Sequence, residues 1–399
     1  MMANKKWLTA LLVVAMAMAM ITGCGKSEKA PAKTGTDAAA ADGIKIGVLY
    51  STTGPFSISE KPMLNAAKLA IDEINAAGGI KGKKLIPVYE DYASDPAKAT
   101  EKIKKLILQD KVVATVGTNS SATRLAVIPD VERNKSVLIY NTYYEGEKQS
   151  PNVIYTNSVP SQQSADFIPW IVKNLGKKVF FVGSDYVFGV TSVKKAKAMM
   201  EKAGGQIVGE EFVPLGHTEF SSLINKIKQA KPDVVFSAIA GDSVVPFYKQ
   251  YQQYGILSKD IPICSIATHE ATIKGIGAAA AAGHYSSFDY FQVIDSPESK
   301  KFVAAYNSKF QDNTTVTNLA EGAYHGVYLL AKALEKATAY DGPTLINAFK
   351  GLEIDSPQGK IKVDETNNHT WLQSFIGKVK PDGTFEIVYG SKALVKPEL

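Results

Sequence analysis

The chain has 399 residues, of which 45% are hydrophobic and 21% charged, and its formal net charge is +6. The basic residues are nearly all lysines scattered along the chain, which argues against nucleic acid as a partner. Beyond the N-terminal stretch no segment is apolar enough to span a membrane, which argues against a receptor that signals through its own transmembrane helix. The length exceeds what one hydrophobic core usually supports, so two lobes are expected.

The first residues have the features of a secretory signal peptide. Lys5 and Lys6 precede the apolar run Leu8–Ile21, which is too short to span a membrane comfortably. The segment Ile21–Cys24 resembles a bacterial lipoprotein lipobox, in which the cysteine becomes the acylated N-terminus. We therefore predict a lipoprotein signal peptide over residues 1–23 and lipidation at Cys24. The protein would then be extracytoplasmic and held to the membrane by lipid only, in a periplasm or on the outer face of the cytoplasmic membrane. The alternative is an ordinary signal peptide with an incidental cysteine.

The segment that follows consists of small and polar residues. Residues 24–43 lack the apolar surface needed to fold, so we predict a flexible tether and a fold that begins at Ile44. Cys264 is the only other cysteine, so acylation of Cys24 leaves no intrachain disulfide possible. Because Cys264 lies in a strand-like run, we expect it to be a small buried hydrophobic residue.

Strands and helices alternate strictly in the first part of the fold. Apolar residues recur at helical spacing, and Asp95 and Pro96 have the pattern of an N-cap followed by proline at the first helical position. The predicted elements are the strand Ile44–Tyr50, the helix Lys61–Ala77, the strand Leu85–Glu90, a helix from Pro96 to Gln109, the strand Lys111–Val116, the helix Ala122–Arg133 and the strand Ser136–Tyr140. Such alternation predicts a parallel sheet with helices on both faces.

The same alternation starts again after Asn157, which predicts a second α/β lobe that is also doubly wound. The predicted helices are Gln162–Asn174, Val190–Ala203, Glu219–Gln229 and Ser243–Tyr254, and the predicted strands are Lys178–Val182, Gln206–Val213, Asp233–Ile239 and Ile261–Ser265. After Phe288 the patterns predict the helices Pro297–Lys309, Leu319–Lys336 and Gly342–Gly351 and the strands Gly359–Val363, Leu372–Lys380 and Thr384–Tyr389. Asp382 and Gly383 form a hairpin signal between the last two strands.

In open α/β sheets the ligand site lies beyond the carboxyl ends of the strands. The loops at those ends are Tyr50–Ser59, Gly117–Thr123, Asn141–Gly146, Gly183–Gly189, Ala240–Ser243 and Ala267–Glu270. Many of their side chains are hydroxylic or aromatic and few are charged. Two facing sets of such loops would form a cleft suited to a small, polar, largely uncharged ligand.

Signatures of catalysis are weak. The chain has no G-x-S-x-G elbow and no phosphate-binding P-loop, and its five histidines lack metal-ligand spacing. Gly275, Gly277 and Ala280 fit the loose dinucleotide-binding pattern, but the segment does not open a clear βαβ unit, so we interpret the match as chance. We therefore predict no enzyme activity, no cofactor and no metal, with a secreted hydrolase as a remote alternative.

Several segments together resemble a known family. The segments IKIGVLYSTTG (Ile44–Gly54), AAGGIKGKK (Ala76–Lys84) and VGTNSS (Val116–Ser121) are similar to type I periplasmic solute-binding proteins, which include the branched-chain amino acid receptors. The segments YYEGEKQSPNVIY (Tyr143–Tyr155), GSDY (Gly183–Tyr186), GDSVVPFY (Gly241–Tyr248) and DSPQGKIKVDETNNH (Asp355–His369) resemble the branch that binds urea and short-chain amides. The resemblance covers nearly all of residues 44–389.

The resemblance implies a two-lobed Venus-flytrap architecture joined by three crossover hinges. We place the crossings near Asn157, Phe288 and Leu352, so the lobes would comprise residues 44–157 plus 289–352 and residues 158–288 plus 353–399. The function implied is capture of urea or a short-chain amide by hinge closure, followed by delivery to the permease and ATPase of an ABC importer. The alternatives are a receptor for branched-chain or other amino acids and a ligand sensor for a membrane signalling partner.

The resemblance also carries over three ligand-binding positions of the first lobe. Ser121 matches the family position whose hydroxyl and amide contact the ligand, at a predicted helix start where backbone N–H groups attract a partly negative oxygen. Tyr140 and Thr142 match positions that line the amide pocket. For Ser121 the alternative role is that of a plain helix N-cap.

The second lobe supplies three further candidates. Tyr186 matches an aromatic wall, although it could instead be a surface loop tyrosine. Asp242 and Glu270 lie on loops where related receptors bind ligand N–H or ammonium groups, and both could equally be solvated loop acids.

Two positions depart from the amide branch. That branch typically has an aromatic residue where this chain has Asn119, and often an aromatic residue followed by proline where this chain has Phe188 and Gly189. Asn119 adds hydrogen-bonding capacity and removes a stacking wall, so we include it among the ligand-binding residues. The change would leave room for a substituted amide or an amino acid.

Overall fold

The computed structural model describes residues 43–399. The predicted signal peptide, Cys24 and all of the predicted tether except Gly43 lie outside the described residues. None of the helices within residues 43–399 is long and apolar enough to cross a membrane.

The first lobe is built on a five-stranded sheet in which all neighbouring strands are parallel. Its elements are β1 (Ile44–Leu49), α1 (Ser57–Ala76), β2 (Leu85–Glu90), α2 (Pro96–Lys104), β3 (Thr115–Gly117), α3 (Ser121–Arg133), β4 (Leu138–Tyr140) and β5 (Val153–Tyr155). Helix α2 begins as predicted, because Asp95 accepts hydrogen bonds from the amides of Ala97 and Lys98 ahead of Pro96.

The second lobe is built on a seven-stranded sheet. Its elements before residue 289 are α4 (Pro160–Gln163), α5 (Phe167–Asn174), β6 (Lys178–Ser184), α6 (Val187–Lys202), β7 (Gln206–Val213), α7 (Ser221–Ala230), β8 (Val234–Ala238), α8 (Val244–Gln253), β9 (Ile263–Ser265), α9 (Glu270–Ile276), α10 (Ala278–Ala281) and β10 (Tyr285–Phe288). These five strands are mutually parallel. Cys264 is fully buried in β9, as expected.

The remaining residues return to both lobes. They form α11 (Pro297–Lys309), α12 (Asn318–Lys336), α13 (Gly342–Phe349), β11 (Glu353–Ser356), β12 (Gly359–Val363), β13 (Thr370–Trp371), β14 (Phe375–Val379) and β15 (Phe385–Gly390). Helix α12 packs on α1 in the first lobe. Strands β14 and β15 extend the second sheet as an antiparallel edge, joined by the predicted hairpin turn at Gly383, and β11–β13 form a small sheet of their own.

The two lobes repeat one strand order. The first sheet runs β2-β1-β3-β4-β5, and the parallel part of the second runs β7-β6-β8-β9-β10, which is the same order shifted by five strands. In both sheets the chain winds first to one side and then to the other. The point at which the winding direction changes therefore lies between β1 and β3 in one lobe and between β6 and β8 in the other. Folds of this kind bind ligands at that point. The predicted class, α/β with two doubly wound lobes, is confirmed.

The chain passes between the sheets three times, after β5, after β10 and after α13. A buried pair on α12 joins two of these crossings: His325 Nδ1 lies 2.9 Å from Glu321 Oε1, and His325 Nε2 lies 2.9 Å from the carbonyl oxygen of Thr156. Gln358, in the third crossing, donates to Glu321 Oε2 at 3.0 Å. The predicted lobe boundaries, residues 44–157 plus 289–352 and 158–288 plus 353–399, remain a proposal.

Among the predicted helices whose bounds differ from the structure, two differ for an identifiable physical reason. Helix α1 begins at Ser57 rather than Lys61 and carries Pro62 inside it, at the loss of one backbone hydrogen bond. The predicted helix Gln162–Asn174 is two helices, α4 and α5. The carbonyl of Gln163 accepts a hydrogen bond from Ser287 Oγ of β10 at 2.7 Å. In a continuous helix this carbonyl would instead accept a backbone hydrogen bond from the following turn.

Candidate ligand-binding site

A cavity lies where the carboxyl ends of the two sheets face each other; the empty space within its walls and at its mouth is about 360 Å³. The loops of both lobes contribute, and the lining residues are Phe56, Ser59, Asn119, Ser120, Ser121, Thr142, Tyr143, Tyr186, Phe188, Ala240, Gly241, Ala267 and Leu319. Within residues 43–399, no charged side chain lines this cavity.

The start of α3 forms one polar end of the cavity. Ser120 is the N-cap: its Oγ accepts from the amide of Thr123 at 3.1 Å, and its carbonyl accepts from the amide of Arg124. The amides of Ser121 and Ala122 precede the first intrahelical hydrogen bond and so have no acceptor within the helix. Together with the helix dipole they favour an oxygen with partial negative charge. Ser121 therefore follows the N-cap, and the capping role alternatively suggested for it belongs to Ser120.

A buried ion pair lies directly behind Ser121. Ser121 Oγ donates to Glu145 Oε2 at 2.5 Å, and Arg124 Nη2 donates to Glu145 Oε1 at 2.6 Å. The side chains of Arg124 and Glu145 are 0% and 1% exposed. The guanidinium also lies 4.3 Å from the ring centre of Tyr144 and donates to the carbonyl of Lys148. The pair holds the loop after β4 against the first turn of α3.

Asn119 and Thr142 form the neighbouring polar wall. Thr142 Oγ1 donates to Asn119 Oδ1 at 3.1 Å, so the oxygen of Thr142 keeps its acceptor capacity. Tyr140 lies behind this wall, where its hydroxyl donates to the carbonyl of Asn119 at 2.5 Å. Tyr92 lies there too and accepts from the amide of Asn119 at 3.1 Å. Two tyrosine hydroxyls thus hold the backbone of Asn119 on both sides.

Four aromatic side chains make the apolar walls. Phe56 and Tyr143 come from the first lobe, and Tyr186 and Phe188 from the second. The ring centres are 6.3 Å apart for Phe56 and Tyr186, 5.6 Å for Tyr143 and Phe188, and 6.1 Å for Tyr186 and Phe188. Rings at these distances are in contact, so the aromatic walls of the two lobes close on one another.

The structure brings together four of the seven predicted site residues at the cavity, namely Asn119, Ser121, Thr142 and Tyr186. Tyr140 supports the wall from behind. Asp242 is exposed at the edge of the cleft and outside the lining. Glu270 is buried but is also outside the lining. One of its oxygens accepts from the amide of Gln292 at 2.9 Å, and burial raises its pKa to about 7. Neither acid lines the cavity, although the second carboxylate oxygen of Glu270 is buried without a hydrogen-bond partner.

The lobes also contact each other directly. Ser59 Oγ lies 3.0 Å from His269 Nε2, both side chains are buried, and burial lowers the pKa of His269 to about 4. The amide of Asp242 donates to the carbonyl of Pro55 at 3.1 Å, and Lys195 Nζ donates to the carbonyl of Glu145 at 2.7 Å. The structure is therefore the closed arrangement of the two lobes.

Sequence reasoning missed some contributors. Phe56, Ser59 and Tyr143 line the cavity and lie in loops that the strand pattern had pointed to, so their positions were foreseeable although their roles were not assigned. The pair of Arg124 and Glu145 could be found only from the fold, since nothing in the spacing of a helical arginine and a loop glutamate shows that they meet.

A buried carboxyl lies near the cavity at Glu60. Its Oε2 accepts from the amide of Ser51 at 2.6 Å and from the hydroxyl of Tyr92 at 2.7 Å, while its Oε1 is buried without a partner. Burial raises the pKa of Glu60 to about 8, against the lowering effect of these donors. The hydroxyl of Tyr92 links this carboxyl to the amide of Asn119 through two hydrogen bonds.

We expect Glu60→Gln to remove part of the pH dependence of stability. Because the pKa of Glu60 is raised on folding, its stabilising effect is complete below about pH 4.5 and is lost as the pH rises to about 8. The variant should therefore gain stability relative to the wild type over this window, by up to about 4 kcal/mol. Urea unfolding of both proteins at pH 5 and pH 8.5 measures this gain, and a difference that does not change with pH would contradict it.

Comparison with known proteins agrees with this architecture. The sequence profile of the periplasmic binding protein domain family matches residues 44–399. The chain is 28% identical to the Leu/Ile/Val-binding protein homolog 6 of Brucella melitensis over 359 residues, which cover 87% of this chain and 91% of the relative.

Two solved structures are similar in fold and sequence. One is a solute-binding protein of an ABC transporter from Rhodopseudomonas palustris BisB5 in complex with 3,4-dihydroxybenzoic acid, with 29% identity, a TM-score of 0.82, and 88% of this chain and 98% of that one covered. The other comes from strain HaA2 in complex with p-hydroxybenzoic acid, with 27% identity, a TM-score of 0.81, and the same shares covered.

The fold and the cavity together define a two-lobed protein that encloses a small molecule between its lobes. The chain belongs to the periplasmic binding protein family, in agreement with the expected type I solute-binding fold. The expectation that it is not an enzyme is confirmed, since the similar proteins are a Leu/Ile/Val-binding protein homolog and solute-binding proteins of ABC transporters. The narrower assignment to the urea and amide branch is a matter of proposal, because the similar proteins named above bind other ligands.

Proposed function

We propose that this protein is an extracytoplasmic solute-binding protein of an ABC importer that captures urea or a short-chain amide. The observation that carries the ligand class is the cavity lining, which is polar and aromatic and, among residues 43–399, contains no charged side chain. Transferring a charged group into such a site without a charged partner is costly, so an uncharged polar ligand fits best.

The polar walls match the two faces of an amide group. The carbonyl oxygen of the ligand would lie at the amides of Ser121 and Ala122, at the positive end of α3. The ligand N–H groups would donate to the hydroxyl oxygens of Ser121 and Thr142, whose own protons are used in donating to Glu145 and Asn119. Tyr143, Tyr186 and Phe188 would cover the planar faces of the ligand.

Closure follows from the distribution of these contacts. A ligand bound to the first lobe gains the contacts of Tyr186 and Phe188 only when the lobes close, so the ligand stabilises the closed state. The permease would then recognise the closed protein, and the predicted acyl chain on Cys24 would keep the protein at the membrane. A sensor role with the same ligand would differ only in the membrane partner.

An amino acid suits the cavity less well. Its ammonium group would need a carboxylate, and both Asp242 and Glu270 lie outside the lining. Glu145 is already committed to Arg124 and Ser121.

A small aromatic acid is the second candidate. Four aromatic rings line the cavity, and the two Rhodopseudomonas palustris proteins hold hydroxybenzoic acids. The helix start at Ser121 would accept a carboxylate as well as a carbonyl oxygen.

A thermal-shift panel tests the proposal. It would include urea, acetamide, butyramide, leucine, valine and 4-hydroxybenzoate, each at a range of concentrations. A ligand at 100 times its Kd adds about 2.7 kcal/mol of stability, which shifts the midpoint by several degrees. We expect the shift with urea or an amide. A shift with the amino acids or with 4-hydroxybenzoate alone would overturn the ligand class and leave the binding role intact.

A further inference from the structure

We propose that Glu145 sets the hydrogen-bonding direction of Ser121 and thereby makes the site select ligands that donate an N–H over carboxylates of the same shape. The inference rests on the proposed function, since it explains how one residue behind the cavity wall would produce the preference for amides. Glu145 does not line the cavity and acts through Ser121, so it is a positioning residue.

The direction of the hydrogen bond follows from the groups involved. A carboxylate has no proton to give, so Ser121 Oγ must be the donor across the 2.5 Å to Glu145 Oε2. A serine hydroxyl has one proton, and once it is used the oxygen offers only lone pairs to the cavity. A ligand N–H finds an acceptor there, whereas a ligand carboxylate would face the oxygen of Ser121 and, behind it, the carboxylate of Glu145.

Arg124 keeps Glu145 in this role. Its Nη2 donates to Glu145 Oε1 at 2.6 Å, and both side chains are fully buried, so the carboxylate is charge-paired and has one oxygen left for Ser121. The pair is neutral as a whole. An anionic ligand at Ser121 would nevertheless meet a hydroxyl that is bonded to the carboxylate of the pair and not to the guanidinium.

Replacing Glu145 with glutamine should reverse the direction. Arginine has donors only, so Arg124 will pair with the amide oxygen of the new side chain and leave its NH₂ group facing Ser121. Ser121 Oγ then accepts a hydrogen bond and turns its own proton towards the cavity. The variant therefore presents a donor where the wild type presents an acceptor, with almost no change in shape.

The test uses two pairs of ligands that match in shape, acetamide with acetate and benzamide with benzoate, measured by calorimetry on the purified protein. The quantity compared is the ratio of Kd for the carboxylate to Kd for the amide. We expect a ratio well above one for the wild type, and a fall of about tenfold or more in Glu145→Gln. Glu147→Gln, on the same loop with a half-exposed side chain, is the matched control and should keep the wild-type ratio.

A double-variant cycle separates this role from a general loosening of the loop. In a Ser121→Ala background the hydroxyl is absent, so Glu145→Gln should leave the ratio unchanged, whereas a merely structural effect would persist. Amide binding by the wild type with an unchanged ratio in Glu145→Gln would overturn the inference and leave the proposed function standing. Tighter binding of acetate or benzoate than of the matching amide by the wild type, or no binding of any of the four probes or of urea, would overturn both.

Discussion

Replacing Arg124 with methionine is expected to lower the free energy of unfolding by about 3–5 kcal/mol. Methionine fills a similar volume but leaves the carboxylate of Glu145 buried without its charged partner, and a buried unpaired charge is costly. The ring contact with Tyr144 and the hydrogen bond to the carbonyl of Lys148 would also be lost. Urea unfolding of the two proteins at pH 7, followed by circular dichroism, measures the difference.

The same helix provides a matched control. Arg133 forms an ion pair with Asp130 at 2.9 Å, but its side chain is 71% exposed. Because solvent screens an exposed pair, Arg133→Met should change the free energy of unfolding by no more than about 1 kcal/mol. Adding Glu145→Leu to Arg124→Met should restore much of the lost stability, since the buried charge is then removed. Equal losses for Arg124→Met and Arg133→Met would contradict the expectation that the carboxylate of Glu145 is costly to leave buried without its charged partner.

Filling the cavity is expected to abolish ligand capture. Ala267 lines the cavity from the second lobe and is 3% exposed, so the larger side chain of Ala267→Phe must enter the space between the lobes. The ring would occupy the ligand position and would oppose closure, since overpacking costs about 1–3 kcal/mol. We expect at least a hundredfold rise in the Kd of whichever ligand the wild type binds, measured by calorimetry.

The control for this variant lies at the other end of the same lobe. Ala203 follows the last residue of α6 and lies near Lys177, which precedes β6, so it is at the amino end of the strands and away from the cavity. Ala203→Phe should leave the Kd within about twofold of the wild type. Retained binding in Ala267→Phe would mean that the ligand binds elsewhere on the protein.

The order of elements could be predicted because the pattern of each long element decides its type. Strands β2, β7 and β12 and helix α11 have the predicted bounds, since β-branched runs and capped amphipathic segments are unambiguous in this chain. The short strands could not be placed as well. Strand β5 has three residues and was not predicted, because its conformation depends on pairing with β4 and not on its own sequence.

The candidate site could be predicted at the level of loops more than of side chains. The predicted carboxyl ends of the strands identified the loops that line the cavity. Of the predicted side chains, Asn119, Ser121, Thr142 and Tyr186 lie there. Whether a loop acid faces the cavity depends on the backbone of its own turn. Asp242 is exposed and Glu270 is turned towards the backbone of Gln292, and no local pattern distinguishes these orientations from a ligand contact.

The most direct test of a closed cavity that binds an uncharged ligand is calorimetric titration of the purified protein with urea and with acetamide. The structure predicts saturable binding of one molecule per chain to at least one of them, unaffected by Ala203→Phe and lost in Ala267→Phe. Absence of binding to both, together with saturable binding of leucine or of 4-hydroxybenzoate, would contradict the ligand class inferred from the uncharged lining of the cavity.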